Sequence, residues 1–199
     1  MKFIASFLFL ALTNFSFAHT HKELKTVKNI EIDRYLGRWH QVAAIPAWFQ
    51  KKCVADTTAD YQKVEDGLSV TNTCRKKDGS NKVALGKARV NHEFSDNARL
   101  QVTFVNLFNK WWVWLFGGDY WVIDLAKDYS YSVVGEPKRQ YLWILSREDN
   151  MKAEQFAELD LRIKKQGYDT CKVIVTQEGE HKGKTLCSFN HKKLKRDNS

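Results

Sequence analysis

The segment Gly37-Arg38-Trp39-His40-Gln41-Val42-Ala43-Ala44-Ile45 introduces the pattern from which the architecture of this chain is inferred. Alternate positions from Trp39 to Ile45 form one mainly apolar series, and a period of two residues is typical of a strand that buries one face. Similar runs recur along the chain between turn residues. We predict eight strands, at Gly37 to Ile45, Val54 to Tyr61, Leu68 to Cys74, Val83 to Val90, Leu100 to Val105, Tyr120 to Leu125, Tyr131 to Val134 and Tyr141 to Ser146.

Short loops rich in turn residues join most of these runs, for example at 65–67, 95–97 and 135–138. Strands joined in this way are antiparallel neighbours. Eight sequential antiparallel strands close most simply into a barrel, which removes exposed edges and leaves room for one small ligand. The pattern therefore predicts an all-β protein with an eight-stranded up-and-down β-barrel.

One later segment departs from the strand pattern. Residues 150–166 carry apolar side chains at helical spacing, with Asn150 as a possible N-cap and Gly167 at the end. A last strand is predicted at Lys172 to Thr176. We expect one C-terminal α-helix, packed against the outside of the barrel.

The composition favours one globular domain. The chain has 199 residues, of which 43% are hydrophobic and 13% aromatic, and no linker or internal repeat divides it. The formal net charge of +9 is compatible with a nucleic acid, an anionic membrane surface or simple solubility. The sequence has no basic aromatic RNA-binding motif, so we expect no nucleic-acid partner.

The first eighteen residues have the features of a secretory signal peptide. Lys2 supplies a positive start, Phe3 to Leu12 is almost entirely apolar, and Ser16-Phe17-Ala18 matches a small-x-small cleavage site. His19, where a lipoprotein would need cysteine, argues against a lipid anchor. We predict a signal peptide at 1–18 and a single domain at 19–199, with its core at 33–177 and a basic tail at 188–199. The mature protein is expected to be periplasmic or secreted.

Export is consistent with the four cysteines, because an even number in an oxidising compartment usually forms disulfides. Cys53 and Cys74 flank a predicted hairpin, while Cys171 and Cys187 lie together near the C-terminus. We favour these two local pairings. A long-range bond from Cys53 to Cys187 is the alternative.

Three segments together resemble the lipocalin family. Tyr35-Leu36-Gly37-Arg38-Trp39 is similar to its first signature, Asp128-Tyr129 lies at the position of its Thr-Asp-Tyr motif, and Leu142-Trp143-Ile144-Leu145-Ser146-Arg147 is similar to the end of its last barrel strand. The resemblance covers 33–177 and is closest to the bacterial lipocalin and apolipoprotein D branch. Lys127 replaces the threonine of the second motif, a departure that concerns only local hydrogen bonding in the turn.

The resemblance implies structural roles for the signature residues Gly37, Trp39, Asp128, Tyr129 and Arg147. Trp39 would close the bottom of the barrel, and Arg147 would lie across its ring. It also implies a function: binding, storage or transport of a fatty acid, lysophospholipid or other lipid in the cell envelope. A carrier of another small apolar molecule and a lipid-modifying enzyme are the alternatives.

Alternation along the strands, anchored on an inward Trp39, predicts which side chains line the ligand cavity. The lining would be mainly apolar with a few hydroxyl and amide groups, a composition suited to an acyl chain with a polar head. The predicted ligand-binding residues, with three from the loops at the open end, are Gln41, Ala43, Ile45, Trp48, Phe49, Thr57, Ala59, Tyr61, Val70, Asn72, Val102, Phe104, Trp112, Tyr141 and Trp143.

Alternate loops of an up-and-down barrel lie at the same end, so the predicted topology brings aromatic and cationic loops together at the mouth. We predict that this end contacts an anionic membrane through Trp111, Trp112, Trp114, Lys51 and Lys52, since aromatic rings and lysines favour the interfacial zone. A hydrophobic lid or a dimer interface is the alternative. The protein would be a monomer or a homodimer.

The sequence contains no G-x-S-x-G, H-E-x-x-H, Walker or dinucleotide-binding motif, so we expect neither an enzyme nor a cofactor. A free Cys74 facing the cavity could act as a nucleophile. No cysteine and histidine cluster has metal-ligand spacing. After cleavage, His19-Thr20-His21 could bind Cu(II).

Overall fold

The computed structural model describes residues 23–108 and 110–190. The predicted signal peptide, the possible copper site at 19–21 and the end of the basic tail at 191–199 lie outside the described residues. None of the described helices combines the length and apolar character that a membrane-spanning helix needs.

The described residues contain eleven strands. They are β1 (Gly37–Ala44), β2 (Cys53–Val64), β3 (Gly67–Lys76), β4 (Asn81–Val90), β5 (Arg99–Thr103), β6 (Asn106–Leu107), β7 (Trp111–Trp112), β8 (Gly118–Leu125), β9 (Tyr131–Gly135), β10 (Leu142–Ser146) and β11 (Ile174–Val175). The α-helices among these residues are α1 (Ile32–Tyr35) and α2 (Ala153–Lys165), and residues 188–190 are also helical. Short 3-10 helices occur at Trp48–Gln50, Trp114–Phe116 and Thr170–Lys172.

Eight of these strands form a closed antiparallel barrel. The order is β1, β2, β3, β4, β5, β8, β9 and β10, and β10 pairs again with β1 to close it. β11 pairs with the end of β1, while β6 and β7 form a separate small hairpin within the β5–β8 connection. The predicted eight-stranded barrel with one C-terminal helix is confirmed.

Two apolar clusters occupy the two faces of the barrel wall. The interior cluster includes Trp39, Leu68, Val70, Leu100 and Val134. The outer cluster joins α2, through Phe156, Leu159 and Ile163, to the outward side chains of β1, β8, β9 and β10. Strands beneath α2 are thus buried on both faces, whereas β3 and β4 leave much of their outer face exposed to solvent.

A β-bulge in β1 corrects part of the predicted lining. Gln41 pairs with Leu145, but the next pair in β10 is formed by Ala43, so one residue is inserted between them. A bulge reverses the alternation beyond it. Ala43 belongs to the outer cluster and Ile45 packs against that cluster, so the prediction that these two face the cavity is wrong.

Both local disulfides are confirmed. Cys53 bonds to Cys74 and joins the mouth ends of β2 and β3, whereas Cys171 bonds to Cys187 and ties the C-terminal segment together. The long-range alternative is wrong. A nucleophilic Cys74 is also contradicted, because its sulfur is in a disulfide.

The ends of α2 differ in part from the prediction. The helix begins after Lys152, whose backbone N–H donates to Gln155 Oε1 over 3.0 Å, so Asn150 is not the N-cap. Gly167, with a φ of +86°, follows the helix as predicted. The last strand is shorter than predicted because Thr170–Lys172 forms a 3-10 turn.

Candidate functional site

The base of the barrel, the end where α1 meets β1, is closed by Trp39. Its side chain is 0% exposed, and its indole Nε1 donates to the carbonyl of Tyr35 over 2.8 Å. The Arg147 guanidinium lies 3.8 Å from the centre of the Trp39 ring, as the resemblance implied. Arg147 also donates to three backbone carbonyls, those of Arg34, Leu36 and Arg38.

The Asp128-Tyr129 turn completes the base. Tyr129 has a φ of 63°, and its hydroxyl accepts a hydrogen bond from the backbone N–H of Glu31 over 2.8 Å. Arg34 lies over the Tyr129 ring at 4.1 Å. Hydrogen bonds from Ser130 stabilise the Asp128 carboxylate and lower its pKa. These contacts join α1 to the turn and hold the closed end together.

Above Trp39, three tyrosines and a serine form a buried hydroxyl cluster. The Tyr35 hydroxyl lies 2.9 Å from both Tyr120 Oη and Ser132 Oγ, and Tyr61 Oη donates to Tyr120 Oη over 3.0 Å. Burial raises the pKa of Tyr35 to about 12 and also raises the pKa values of Tyr61 and Tyr120. The floor of the barrel is therefore uncharged but polar.

The middle of the barrel has apolar walls. Ala59, Tyr61 and Val70 belong to the interior cluster and Val102 packs against it. Phe104 covers Gly86: a Cβ at this glycine would lie 2.7 Å from two carbons of the Phe104 ring. The ring thus occupies the space that the glycine leaves on the inner wall.

The mouth is partly covered by residues 46–52, which we call the lid loop. Gln50 extends from its 3-10 turn into the barrel, where Nε2 donates to Gln41 Oε1 over 2.9 Å. Its Oε1 accepts from the indole Nε1 of Trp143 over 3.3 Å. These bonds connect the lid loop to β1 and β10. Lys51 and Lys52 are exposed on it.

Aromatic rings at the start of the adjacent strand β10 also fasten the lid loop. The Tyr141 and Trp143 rings are stacked, with centroids 5.9 Å apart, and the Phe49 ring lies 5.8 Å from Tyr141. Trp48 packs edge-on against Phe49 but stays largely exposed. Lys82 on β4 donates to the Phe49 carbonyl over 2.9 Å. The lid loop is thus held by contacts with β1, β4 and β10.

Residues 104–117, which we call the flap, contain a hairpin formed by β6 and β7 between β5 and β8. Several apolar residues of the flap are largely exposed to solvent: Phe108 is 81% exposed, Trp111 63% and Leu115 87%. Trp112 is half-buried. The flap therefore presents a row of apolar side chains to solvent next to the mouth.

Trp114 lies apart from the exposed part of the flap. Its ring packs beneath the Arg89 guanidinium, which is 4.0 Å away on the outer wall of the barrel. Its carbonyl accepts from Gln101 Nε2 over 3.2 Å. Trp114 anchors the flap to β4 and β5, so the prediction that its ring contacts a membrane together with Trp111 is corrected.

A groove of about 280 Å³ lies outside the barrel, between α2 and β8. It is lined partly by Lys25, Asp124 and Arg162, and an ion pair of 2.6 Å between Arg162 and Asp124 crosses it. Burial raises the pKa of Asp124. Because the groove lies on the outer face of β8, the barrel wall separates it from the predicted cavity.

Sequence reasoning missed several polar residues that the fold brings to the interior. Tyr120 and Ser132 join the floor only because β8 and β9 take a particular register, which the sequence does not indicate. Gln50 lies in a loop. Lys82, in contrast, directly precedes the predicted strand Val83 to Val90, and it alternates with Ala84, Gly86 and Ala88 along β4.

Comparison with known sequences agrees with the earlier resemblance. A family model described as a lipocalin-like domain matches residues 30–178. Temperature-induced lipocalin-1 of Arabidopsis thaliana is 35% identical over 160 residues, covering 80% of this chain and 85% of that protein. Outer membrane lipoprotein Blc of Vibrio cholerae is 32% identical over 163 residues, covering 79% of this chain and 88% of the relative.

Comparison with solved structures supports the same architecture. Insecticyanin from Manduca sexta superposes with a TM-score of 0.62 at 19% sequence identity, covering 82% of this chain and 89% of that one. At this identity the similarity concerns the fold alone.

Proposed function

We propose that this chain, which belongs to the lipocalin family, binds a fatty acid, a lysophospholipid or another lipid inside its barrel. Members of the family generally bind small hydrophobic ligands. The observation that carries the proposal is the contrast along the barrel axis: a sealed base, apolar middle walls, and a mouth covered by a lid loop held by a few side-chain contacts. Such a cup suits an apolar chain that enters from one end.

The inner wall formed by β2, β3 and β4 supports an extended ligand. Its inward positions carry small side chains at Ala59, Ala84, Gly86 and Ala88, and the adjacent Phe104 ring is 43% exposed. Small residues leave room beside a wall, and a ring near an opening can change rotamer to admit a ligand. We propose that the chain of the ligand lies along this wall.

The two disulfides and a relative described as an outer membrane lipoprotein indicate an extracytoplasmic protein. We further propose that it acts in the periplasm or cell envelope, after removal of residues 1–18, as a carrier and not as an enzyme. A binding role needs no group beyond the apolar lining and its few polar contacts.

We also propose that the mouth contacts an anionic bilayer. The exposed apolar side chains of the flap, including Phe108, Trp111 and Leu115, lie on one projection, and Trp48 is exposed on the lid loop. Lys51, Lys52 and other rim lysines add positive charge near them. Aromatic side chains partition into the membrane–water interface, and each nearby lysine contributes about 1 kcal/mol to the free energy of binding to an anionic bilayer. A ligand could then pass between bilayer and barrel without crossing water.

A matched pair of substitutions on β4 tests the internal site. Ala84 faces inward, whereas its neighbour Leu85 faces outward and is 64% exposed. Filling the cavity with Ala84→Phe should weaken binding by about 2 kcal/mol, or about thirtyfold, because the ligand and the ring compete for one space. Leu85→Phe should bind as the wild type does.

The measurement is a titration with a fluorescent fatty acid, followed by its displacement with unlabelled lipids. Circular dichroism and a thermal melt would establish that both variants fold. Equal affinities for Ala84→Phe and Leu85→Phe would contradict binding inside the barrel.

A further inference from the structure

Lys82 places a positive charge on the inner side of the mouth. β4 pairs with β3 without a bulge from Asn81 to Ala88, so its side chains alternate regularly. Ala88 belongs to the interior cluster and Gly86 faces the Phe104 ring, which puts Lys82 on the same inward face. Its ammonium donates to the Phe49 carbonyl over 2.9 Å. An ammonium has three N–H donors, so two remain for another acceptor.

Asn72 supplies a second polar group on the same wall. It lies opposite Ala59 on β2 and Ala84 on β4, and its Oδ1 is buried. Within the described residues this oxygen has no hydrogen-bond partner. A buried acceptor without a partner is destabilising, so the site favours a ligand that carries a donor.

The two groups are close enough to serve one head group. Asn72 is directly opposite Ala84, and Lys82 is two residues further along β4 on the same face. Such diagonal neighbours are about 7–8 Å apart at their backbones, a separation that a lysine side chain spans easily. Ala84 lies beside Asn72, and further toward the base the inward residues Gly86 and Ala88 offer only apolar contact.

We propose that Lys82 and Asn72 form a head-group subsite for an amphiphile whose anionic group has a hydroxyl nearby. This inference rests on the proposed binding of a lipid in the barrel. The Lys82 ammonium pairs with the anion, Asn72 Oδ1 accepts from the hydroxyl, and the apolar chain descends along β4. A 3-hydroxy fatty acid has this chemistry, as does a lysolipid with a phosphate and a free glycerol hydroxyl.

The test compares tetradecanoic acid, its 3-hydroxy derivative and the methyl ester of the unsubstituted acid, using isothermal titration on the full chain. Wild type should bind the hydroxy acid about fivefold more tightly than the plain acid, and the ester about tenfold more weakly than the plain acid. Lys82→Met should lose about tenfold for both acids and remain within about twofold for the ester. Lys77→Met, an exposed lysine on the same hairpin, is the charge-matched control and should change nothing.

Asn72→Leu keeps the size of the side chain and removes the acceptor. It should abolish the preference for the hydroxy acid while leaving the plain acid unaffected. The affinity of wild type for 1-tetradecanoyl lysophosphatidate is measured in the same way. If it binds more tightly than the 3-hydroxy acid, the subsite recognises a lysolipid head group, and if it binds more weakly, the subsite recognises a hydroxylated fatty acid.

The outcomes separate this inference from the general function. If the acids and the ester bind wild type equally well and Lys82→Met has no effect, the subsite is wrong while lipid binding stands. If wild type binds none of these ligands, the binding of such lipids fails and the subsite with it. A loss for Lys77→Met equal to that for Lys82→Met would also overturn the subsite, because it would indicate a general charge effect.

Discussion

The two ends of the barrel differ in how their side chains are used. At the base, Trp39 is fully buried, its indole N–H is bonded, and Arg147 is held between the ring and three carbonyls. At the mouth, Phe108 and Trp111 are exposed, and deeper on the inner wall the buried Oδ1 of Asn72 has no hydrogen-bond partner within the described residues. The contacts of Trp39 and Arg147 stabilise the fold, whereas the exposed rings at the mouth and the unpaired oxygen of Asn72 are groups that a bilayer or a ligand would contact.

The largest expected effect is on stability at the base. Trp39→Ala should lower the free energy of unfolding by about 3–5 kcal/mol, because it removes a large buried ring and leaves a cavity under Arg147. Trp111→Ala at the mouth makes the same chemical change on an exposed side chain and should stay within about 0.5 kcal/mol of wild type. Urea denaturation measures both. A comparable loss of unfolding free energy in the two variants would contradict the distinction between the base and the mouth.

The second prediction concerns membrane contact at the mouth. The double variant Phe108→Ser with Trp111→Ser should lower the partition coefficient for anionic vesicles, measured by co-sedimentation, at least tenfold. The lost apolar area accounts for this change, which corresponds to about 1.4 kcal/mol or more of binding free energy. Val83 and Leu85 are similarly exposed on the outer barrel wall, at 56% and 64%, and provide the control. Their double change to serine should leave vesicle binding intact. Equal losses in both variants would indicate nonspecific adhesion and not docking by the flap.

The third prediction concerns stability at high pH, and it belongs to the base. In the folded protein, burial raises the pKa of Tyr35 from 10.0 to about 12. The unfolded chain therefore loses its tyrosine protons first, and the contribution to stability, fully present below pH 10, is lost as the pH rises toward 12.

Removing two members of the hydroxyl cluster tests this pH dependence. The double variant Tyr61→Phe with Tyr120→Phe should have a shallower decline of melting temperature between pH 9 and pH 11.5 than wild type. Identical slopes would show that the cluster does not govern alkaline stability.

The sequence predicts most of the fold because the required signals are local. Alternation and turn residues place the strands, and cysteines that flank a hairpin pair across it, as Cys53 and Cys74 do. The bulge between Gln41 and Ala43 has no comparable signal, since any residue can be the inserted one. For this reason the predicted orientation failed for Ala43 and Ile45 while it held for Ala59, Tyr61 and Val70.

The candidate site is predictable only where it lies on regular strands. The inward position of Lys82 follows from the alternation of β4, but its contact with the Phe49 carbonyl depends on how the lid loop folds. The packing of Trp114 under Arg89 likewise depends on tertiary contacts between the flap and the outer wall. Loop conformation is set by such contacts more than by local sequence.

Native mass spectrometry of the purified mature protein, followed by organic extraction and identification of the released molecules, tests most directly whether the barrel carries a lipid. The account predicts about one fatty acid or lysolipid per chain in wild type and in Leu85→Phe, and a clearly lower occupancy in Ala84→Phe. An empty wild-type protein that also fails to bind a fluorescent fatty acid would contradict it.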